Sequence, residues 1–420
     1  MKTRTLLRYA AAGLTAGAAV LTSLAPAAPA APTGTHAPAA ESSVYIVRIN
    51  GVAENEDAVR EQARAMTEQH GGQLRRLYFS AMQGFSAELT TEQIRNYLKD
   101  TRVDSVTGDR TYAVAGNTAT RRGSGVQLGD VPWGLDRVDQ RDLPLDRLYR
   151  FPGTADSVHV YVVDTGVRTG HREFAGRARG AYDAITQQTA GESGKDCHGH
   201  GTASAAVAAG TFTGVAKRAR VESVRALGCN GTGTLEHLVS AVDWIAAHAR
   251  KPAVVQLGFT GPPGSVLDLQ LYQMTQMGIA YTAPAGNGDE NGQGMESCAT
   301  TPARQTTAIT VAATGPDDTR PAWSNFGYCT HLFAPGTRIP AAAATGDGAY
   351  TAFSGTSAAA AHVAGAAALY LEAHPGASPE QIDQGLTAAA TKDHVRDAGE
   401  FSKNLLLYTG AIDGEGRRSR

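Results

Sequence analysis

The sequence predicts an α/β fold with a mostly parallel sheet flanked by helices, preceded by a small α+β module. Three observations carry that prediction. From Pro132 onward, short apolar runs that read as buried strands alternate with longer helix-like stretches, the pattern of βαβ units. Residues 44–114 instead run strand, helix, strand, strand, helix, strand, which is the split-βαβ, ferredoxin-like order. Glycine counts 48 in 420 residues while aromatics make up 6%, which suits many tight turns and close backbone approaches.

The first thirty residues read as a secretory signal peptide. Lys2, Arg4 and Arg8 give a basic start, an apolar Ala/Leu/Val run reaches Leu24, and Ala28-Pro29-Ala30 offers a small-residue cleavage site. The run is short for a membrane span and leads into a Pro/Ala/Thr linker over 31–43. No later stretch is long and apolar enough to cross a bilayer, so the expectation is a secreted, extracellular monomer with no membrane partner. A net charge of -2 implies no nucleic-acid partner.

The module over 44–114 opens with the strand-like Val44–Ile49. A charged helix over 54–70 is ended by Gly71-Gly72. Strands follow at 74–78 and 84–89, then a helix capped by Thr90, then a last strand over 103–114. Residues 115–131 are rich in Gly, Ser, Thr and Arg without hydrophobic periodicity and read as an exposed linker open to cutting. The larger domain spans 132–409, with a tail at 410–420. Its strands are expected at 158–163, 220–226, 253–257, 279–283 and 308–312. Its helices are expected at 201–209, 235–249, 265–277 and 357–373. Active groups in such a domain belong at strand ends and helix starts.

Four side chains sit at such places. Asp164 ends the apolar run Val158–Val163, where a carboxylate can orient a base. His200 lies in His198-Gly199-His200-Gly201, at the start of a helix-like stretch. Asn287, in Ala285-Gly286-Asn287-Gly288, follows another strand, and its amide can donate to an oxyanion. Ser357 stands where the turn Phe353–Thr356 gives way to an Ala-rich helix, beside free backbone N–H groups. Taken singly, each has a structural reading: turn aspartate, loop histidine, turn asparagine, N-cap serine. Asp196, His198 and His200 give a weak metal signal. The Gly-rich runs 228–233 and 286–294 lack the Lys and spacing of a phosphate loop. Four cysteines, Cys197, Cys229, Cys298 and Cys329, allow three disulfide pairings.

The order Asp, His, Ser is that of subtilisin, and the surrounding motifs extend the likeness. The chain resembles a secreted subtilisin-like serine protease of the proteinase K-like branch through Val162–Val167, His200-Gly201-Thr202, Ala285-Gly286-Asn287 and Gly355-Thr356-Ser357. Flanking matches are Trp133–Arg137, His171–Phe174 and Leu332–Gly336. The resemblance implies a subtilisin-like peptidase domain preceded by an inhibitory propeptide at 44–114. It implies an endopeptidase acting on proteins or peptides, with Asp164, His200 and Ser357 as the triad and Asn287 in the oxyanion hole. Leu257, Gly258, Phe259 and Gly286 are implied as substrate-binding. The pairs Cys197–Cys229 and Cys298–Cys329 are implied as disulfides. A structural calcium is implied at Asp136, Asp139 and Gln140; a second family site has His331 where an Asp is usual. The chemistry needs no cofactor.

Several positions depart from the family pattern. Ala203-Ser204-Ala205-Ala206 replaces His-Val-Ala-Gly, and Ala358–Ala361 replaces Met-Ala-x-Pro ahead of His362. Both remove bulk, so weaker packing is expected there, by about 2 kcal/mol or more at each shrunken site. Phe259 is expected to reshape the primary specificity pocket, and Pro284 removes a backbone donor beside it. The rival reading is a subtilisin-fold binding protein whose turnover has weakened; an esterase using the same triad is a third.

Overall fold

The computed structural model describes residues 42–51, 55–119, 131–189 and 195–412. The expected signal peptide, all of the 31–43 linker up to Glu41, residues 120–130 and the tail beyond Ile412 lie outside them.

The N-terminal module follows the predicted order: β1 (Ser43–Ile49), α1 (Glu56–His70), β2 (Gln73–Tyr78), β3 (Gly84–Leu89), α2 (Thr91–Tyr97) and β4 (Val103–Gly108). Its antiparallel sheet runs β2-β3-β1-β4. Asn55 caps α1, and Thr90 with Gln93 forms a capping box on α2. Val47, Val59, Ala63, Met66, Phe85 and Tyr97 fill a core of its own. The single strand expected over 103–114 is two. β4 ends at Gly108, and β5 (Thr111–Val114) leaves the module to pair elsewhere, as does β6 (Asn117–Ala119).

The large domain begins with α3 (Trp133–Val138) and continues through β7 (His159–Asp164), β8 (Ala178–Asp183), β9 (Gln188–Thr189), α4 (His200–Ala209), β10 (Arg220–Arg225), β11 (Thr232–Thr234) and α5 (Leu235–His248). Then come β12 (Ala253–Leu257), β13 (Phe259–Thr260), α6 (Ser265–Gln276), β14 (Ala280–Pro284), β15 (Ile309–Thr314), β16 (Leu332–Pro335), β17 (Ile339–Ala342) and β18 (Tyr350–Ser354). α7 (Thr356–Ala373), α8 (Pro379–Ala389), β19 (Thr391–Lys392) and β20 (Leu405–Leu406) close it. The main sheet is ordered β19-β20-β16-β15-β14-β12-β7-β10-β8-β9 and is parallel from β20 to β8. β7 is buried along its whole length, as a central parallel strand must be. Strand order reverses between β7 and β12, which places the binding crevice outside their C-terminal ends.

Two buried helices cover one face. In α4 and α7 the alanines 203, 205, 206 and 358–361 are all fully buried. The helices exploit this small size by approaching closely: a Cβ on Gly365 of α7 would lie 2.6 Å from the Ala208 carbonyl of α4. The two helices are therefore in close backbone contact at Gly365. Pro284 also fits, because the β14–β12 ladder ends at Thr282, before the missing N–H. The disulfides are Cys197–Cys229 and Cys298–Cys329, closing loops with separations of 32 and 31. Each is worth roughly 3–4 kcal/mol in the loop-entropy account.

Candidate active site

The crevice is built from the strand ends outward. Asp164 is the last residue of β7 and His200 the first of α4, and both are fully buried. The imidazole Nδ1 lies 2.8 Å from each carboxylate oxygen of Asp164, so one ring proton is shared across the carboxylate. A donor at Nδ1 leaves Nε2 as the basic nitrogen. The Thr165 N–H donates to Asp164 Oδ1 at 2.7 Å, and the Ser204 hydroxyl donates to Oδ2 at 3.2 Å. Asp196 fixes the frame, accepting from the N–H groups of His198, Gly199 and Thr202 and from the hydroxyls of Thr165 and Thr202 at 2.6–3.0 Å. Asp196 is thus spent on the start of α4, and no group of three or more His, Cys, Asp or Glu poised to hold a metal occurs among the described residues.

Ser357 is the second residue of α7, next to Gly355 in an extended conformation with φ +144°. Its backbone N–H is therefore free of intrahelical bonding. Asn287 approaches the same point. Its Oδ1 accepts both the backbone N–H and the hydroxyl of Thr356, each at 2.9 Å. A backbone N–H can only donate, so the amide oxygen is fixed and Nδ2 is left as the outward donor. Gly286, at φ +109°, binds the Thr356 hydroxyl through its N–H at 3.1 Å.

The crevice holds the protein's own chain. β5 lies between β11 and β13 as the middle of a three-stranded antiparallel sheet. The Val114 N–H donates to Gly231 O and the Ala115 N–H to Gly258 O, at 2.9 and 3.2 Å. The Ala115 carbonyl accepts the Ser357 N–H at 3.1 Å. A Cβ on Gly116 would stand 3.1 Å from His200 Nε2. Beyond it, β6 pairs antiparallel with β18. Ala115 and Gly116 are buried, so the first residues of the expected exposed linker are held inside the crevice. The Ser357 hydroxyl donates to Gly258 O at 3.3 Å, and His200 Nε2 has no hydrogen-bond partner. The serine proton is thus parked on a carbonyl, beside an imidazole whose accepting nitrogen faces Gly116.

Gly258 must be glycine, because a Cβ there would overlap the Asp164 carboxylate. Leu257 is buried in β12 and pairs with Val163. Phe259 does not shape the primary pocket, contrary to expectation. Its buried ring meets Tyr112 edge-on, with centroids 6.0 Å apart, three residues before Ala115. It is Gly258 O that receives the Ala115 amide. Sequence reasoning also missed Thr356, Tyr112 and Ser204. For Ser204 a signal existed: it lies one helical turn after His200, hence on the same face.

The N-terminal module is clamped to α5. Glu236 accepts from Arg75 Nε at 2.9 Å and from the Ser86 hydroxyl at 2.6 Å, with Arg76 paired at 3.3 Å. Asp243, two turns later, accepts the backbone N–H groups of Phe79, Ser80 and Ala81 at 3.1, 2.8 and 2.8 Å. The module returns the favour at the start of α5, where Asp109 Oδ1 accepts the Glu236 N–H at 3.0 Å.

The expected calcium residues share one loop. Asp136 accepts the N–H groups of Asp146 and Arg147 at 3.2 and 2.8 Å, and Asp139 accepts the Arg150 N–H. Asp139 Oδ1 is buried without a partner, and burial pushes the carboxyl up to about 6. Gln140 Oε1 accepts the Asp146 N–H at 3.2 Å. An all-oxygen set with an orphaned carboxylate oxygen fits a hard cation. His331 is bonded to Asp383 at 2.9 Å.

Comparison with known proteins agrees with this geometry. A family model described as the Subtilase family matches residues 155–405, and one described as Peptidase inhibitor I9 matches residues 44–115. An extracellular serine proteinase of Thermus sp. (strain Rt41A) is 40% identical over 81% of this chain and 78% of its own. An alkaline serine exoprotease A of Vibrio alginolyticus is 37% identical over 80% of this chain and 60% of its own. The crystal structure of a cold adapted subtilisin-like serine proteinase superposes with a TM-score of 0.63 at 40% identity, covering 67% of this chain and 99% of that one.

Proposed function

The chain belongs to the subtilase family, and from that premise we propose that Asp164, His200, Ser357 and Asn287 form the working site of a self-processing serine endopeptidase. Ser357 attacks a peptide carbonyl as His200 Nε2 takes its proton. Asp164 holds the imidazole tautomer and stabilises the imidazolium. The Ser357 N–H and Asn287 Nδ2 receive the charge that develops on the carbonyl oxygen. His200 then protonates the leaving amine, and water repeats the sequence on the acyl-enzyme. Proton transfer from Ser357 requires its hydroxyl to turn from Gly258 O toward Nε2, a single side-chain rotation.

One observation carries the reading. The chain crosses its own crevice with the Ala115 carbonyl on the Ser357 N–H and Gly116 beside Nε2. The bond cut in maturation is therefore Ala115–Gly116, with the tyrosine of 112 seated against Phe259. The inhibitory segment covers 44–115, the stretch matched by the inhibitor family model, and the mature enzyme starts at Gly116. Relatives that are extracellular proteinases support secretion, and the enzyme works as a monomer on protein or peptide substrates. A structural calcium would be held by Asp136, Asp139 and Gln140 and would brace the turn after α3 without entering the chemistry.

The test is a mass spectrum of secreted protein with and without Ser357→Ala. Parent protein ending in a new N-terminus at Gly116, with the alanine variant uncut, is the expected result. An alanine variant processed at the same bond would remove Ser357 from the scheme. A new terminus elsewhere would remove only the cutting point. Labelling of the mature parent by a fluorophosphonate separates an active enzyme from a binding protein of the same fold.

A further inference from the structure

The triad carboxylate has a second buried donor. Asp164 is fully buried, and its Oδ2 is walled by the backbone of Gly258, where no side chain fits. Oδ1 has the Thr165 N–H as well as its share of the imidazole proton. Oδ2 has only that shared proton and the Ser204 hydroxyl, at 3.2 Å. Ser204 is itself fully buried in α4. A serine inside a helix ordinarily bonds back to the carbonyl four residues earlier, or faces water. This one does neither. It stands four residues after His200, so a single helix face delivers both the imidazole and the hydroxyl to one carboxylate.

We propose that Ser204 is a positioning residue that sets the basicity of His200 through Asp164. The inference rests on the triad reading above. A hydrogen bond to a carboxylate favours its charged form and spreads that charge onto the donor. The field that Asp164 exerts on the imidazolium is then weaker, which the acid limb of the pH–rate profile reads. The same bond prevents Oδ2 from being a buried acceptor with half a partner, so the carboxylate keeps the tilt that shares its two oxygens with Nδ1. The motif HGTASAA at 200–206 thus exchanges an apolar family position for a donor aimed at the catalytic acid.

The test uses mature enzyme and the pH dependence of kcat/KM on one peptide substrate. Ser204→Ala should move the acid limb up by about half a unit to one unit. Activity one unit below the parent limb should drop about threefold to tenfold, with KM unchanged. Ser204→Thr, which keeps the hydroxyl, should restore the limb. The titration of the downfield Nδ1 proton resonance of His200 should move by the same amount, and it is readable in the uncut Ser357→Ala precursor if Ser204→Ala blocks maturation. A limb and a resonance that stay in place in Ser204→Ala overturn the proposal, as does a shift that threonine leaves uncorrected. An unmoved limb on an active, fluorophosphonate-labelled enzyme would leave the triad standing and sink only the role of Ser204.

Discussion

Replacing Asp243 by alanine should weaken the hold of the inhibitory segment on the mature enzyme without touching the catalytic groups. Asp243 is the acceptor for three consecutive backbone N–H groups, those of Phe79, Ser80 and Ala81, at 3.1, 2.8 and 2.8 Å. Bonds to a carboxylate carry about 1.5–3 kcal/mol each, but here desolvation takes part of that back. Burial raises the Asp243 pKa, and the donated N–H groups only partly pull it down. In the separated enzyme, water replaces all three donors. A net of about 1 kcal/mol per bond is then the reasonable figure. The sum, about 3 kcal/mol, corresponds to roughly 150-fold in the dissociation constant. The assay is inhibition of mature Asp243→Ala by the separate 44–115 segment, against the parent. Asp243→Asn, which keeps one carbonyl acceptor, should lose about half as much in free energy. Inhibition within threefold of the parent would refute the reasoning, and so would unchanged amide exchange at Phe79–Ala81 in a Ser357→Ala precursor carrying Asp243→Ala.

Other outcomes follow from the same contacts. Asn287→Ala should cost about 10²–10³ in kcat with little change in KM, the size known for one oxyanion-hole donor in subtilisin; a change confined to KM would argue that the amide binds substrate instead. Glu236 gives a pH signature. Burial by itself would raise its pKa, but hydrogen bonds from Arg75 and Ser86 and the charge of Arg76 hold it below the ordinary 4.5. A group depressed on docking strengthens docking above its ordinary value, and that share is lost as pH falls through the depressed one. Inhibition by the 44–115 segment should therefore fade as pH drops below about 4.5, and Glu236→Gln should flatten that slope; equal slopes in the two would place the effect elsewhere. Chelation should lower the melting temperature of the parent enzyme and leave that of Asp139→Asn unmoved, since a ligand bound only by the folded state stabilises it in proportion to its occupancy. An equal response of the two to chelation would remove Asp139 from the site.

Most of the architecture was legible because it is written in local pattern. The apolar run of β7 can only be a buried strand, and Thr90 with Gln93 announces a helix start by its chemistry. Asp164, His200, Asn287 and Ser357 stand at strand ends and helix starts, which the local pattern marks out. What escaped was whatever depends on partners distant in sequence. The strand expected over 103–114 breaks after Gly108 because its second half, with residues 117–119, pairs with β11, β13 and β18, all of them distant in sequence. The misplacement of Phe259 has the same origin. A motif fixes residue types, whereas register is fixed by which carbonyl meets the substrate amide, and that is Gly258 O. The alanine runs of α4 and α7 looked like missing bulk because sequence shows side-chain volume but not the distance between helices.

The contacts around the proposed cutting point, Ala115–Gly116, are of two kinds, and cutting there would separate them. Among the described residues just after the bond, 117–119 pair with β18 at three positions. Residues before it are held by β11 and β13, by the Ser357 N–H, and by a folded module anchored on Glu236 and Asp243. Once the bond is broken, the first group has only a short ladder to lose, while the second keeps every contact it had. On this reading the product would stay where the substrate was, with its new carboxylate facing the oxyanion donors. Cleavage by itself would not open the crevice. Activity would wait for the module to leave α5, and the strength of that docking would set the delay between maturation and turnover. A loosened module would shorten the delay but would also hold Ala115 less firmly over Ser357 before the cut, so precision of maturation and speed of release oppose one another in this chain.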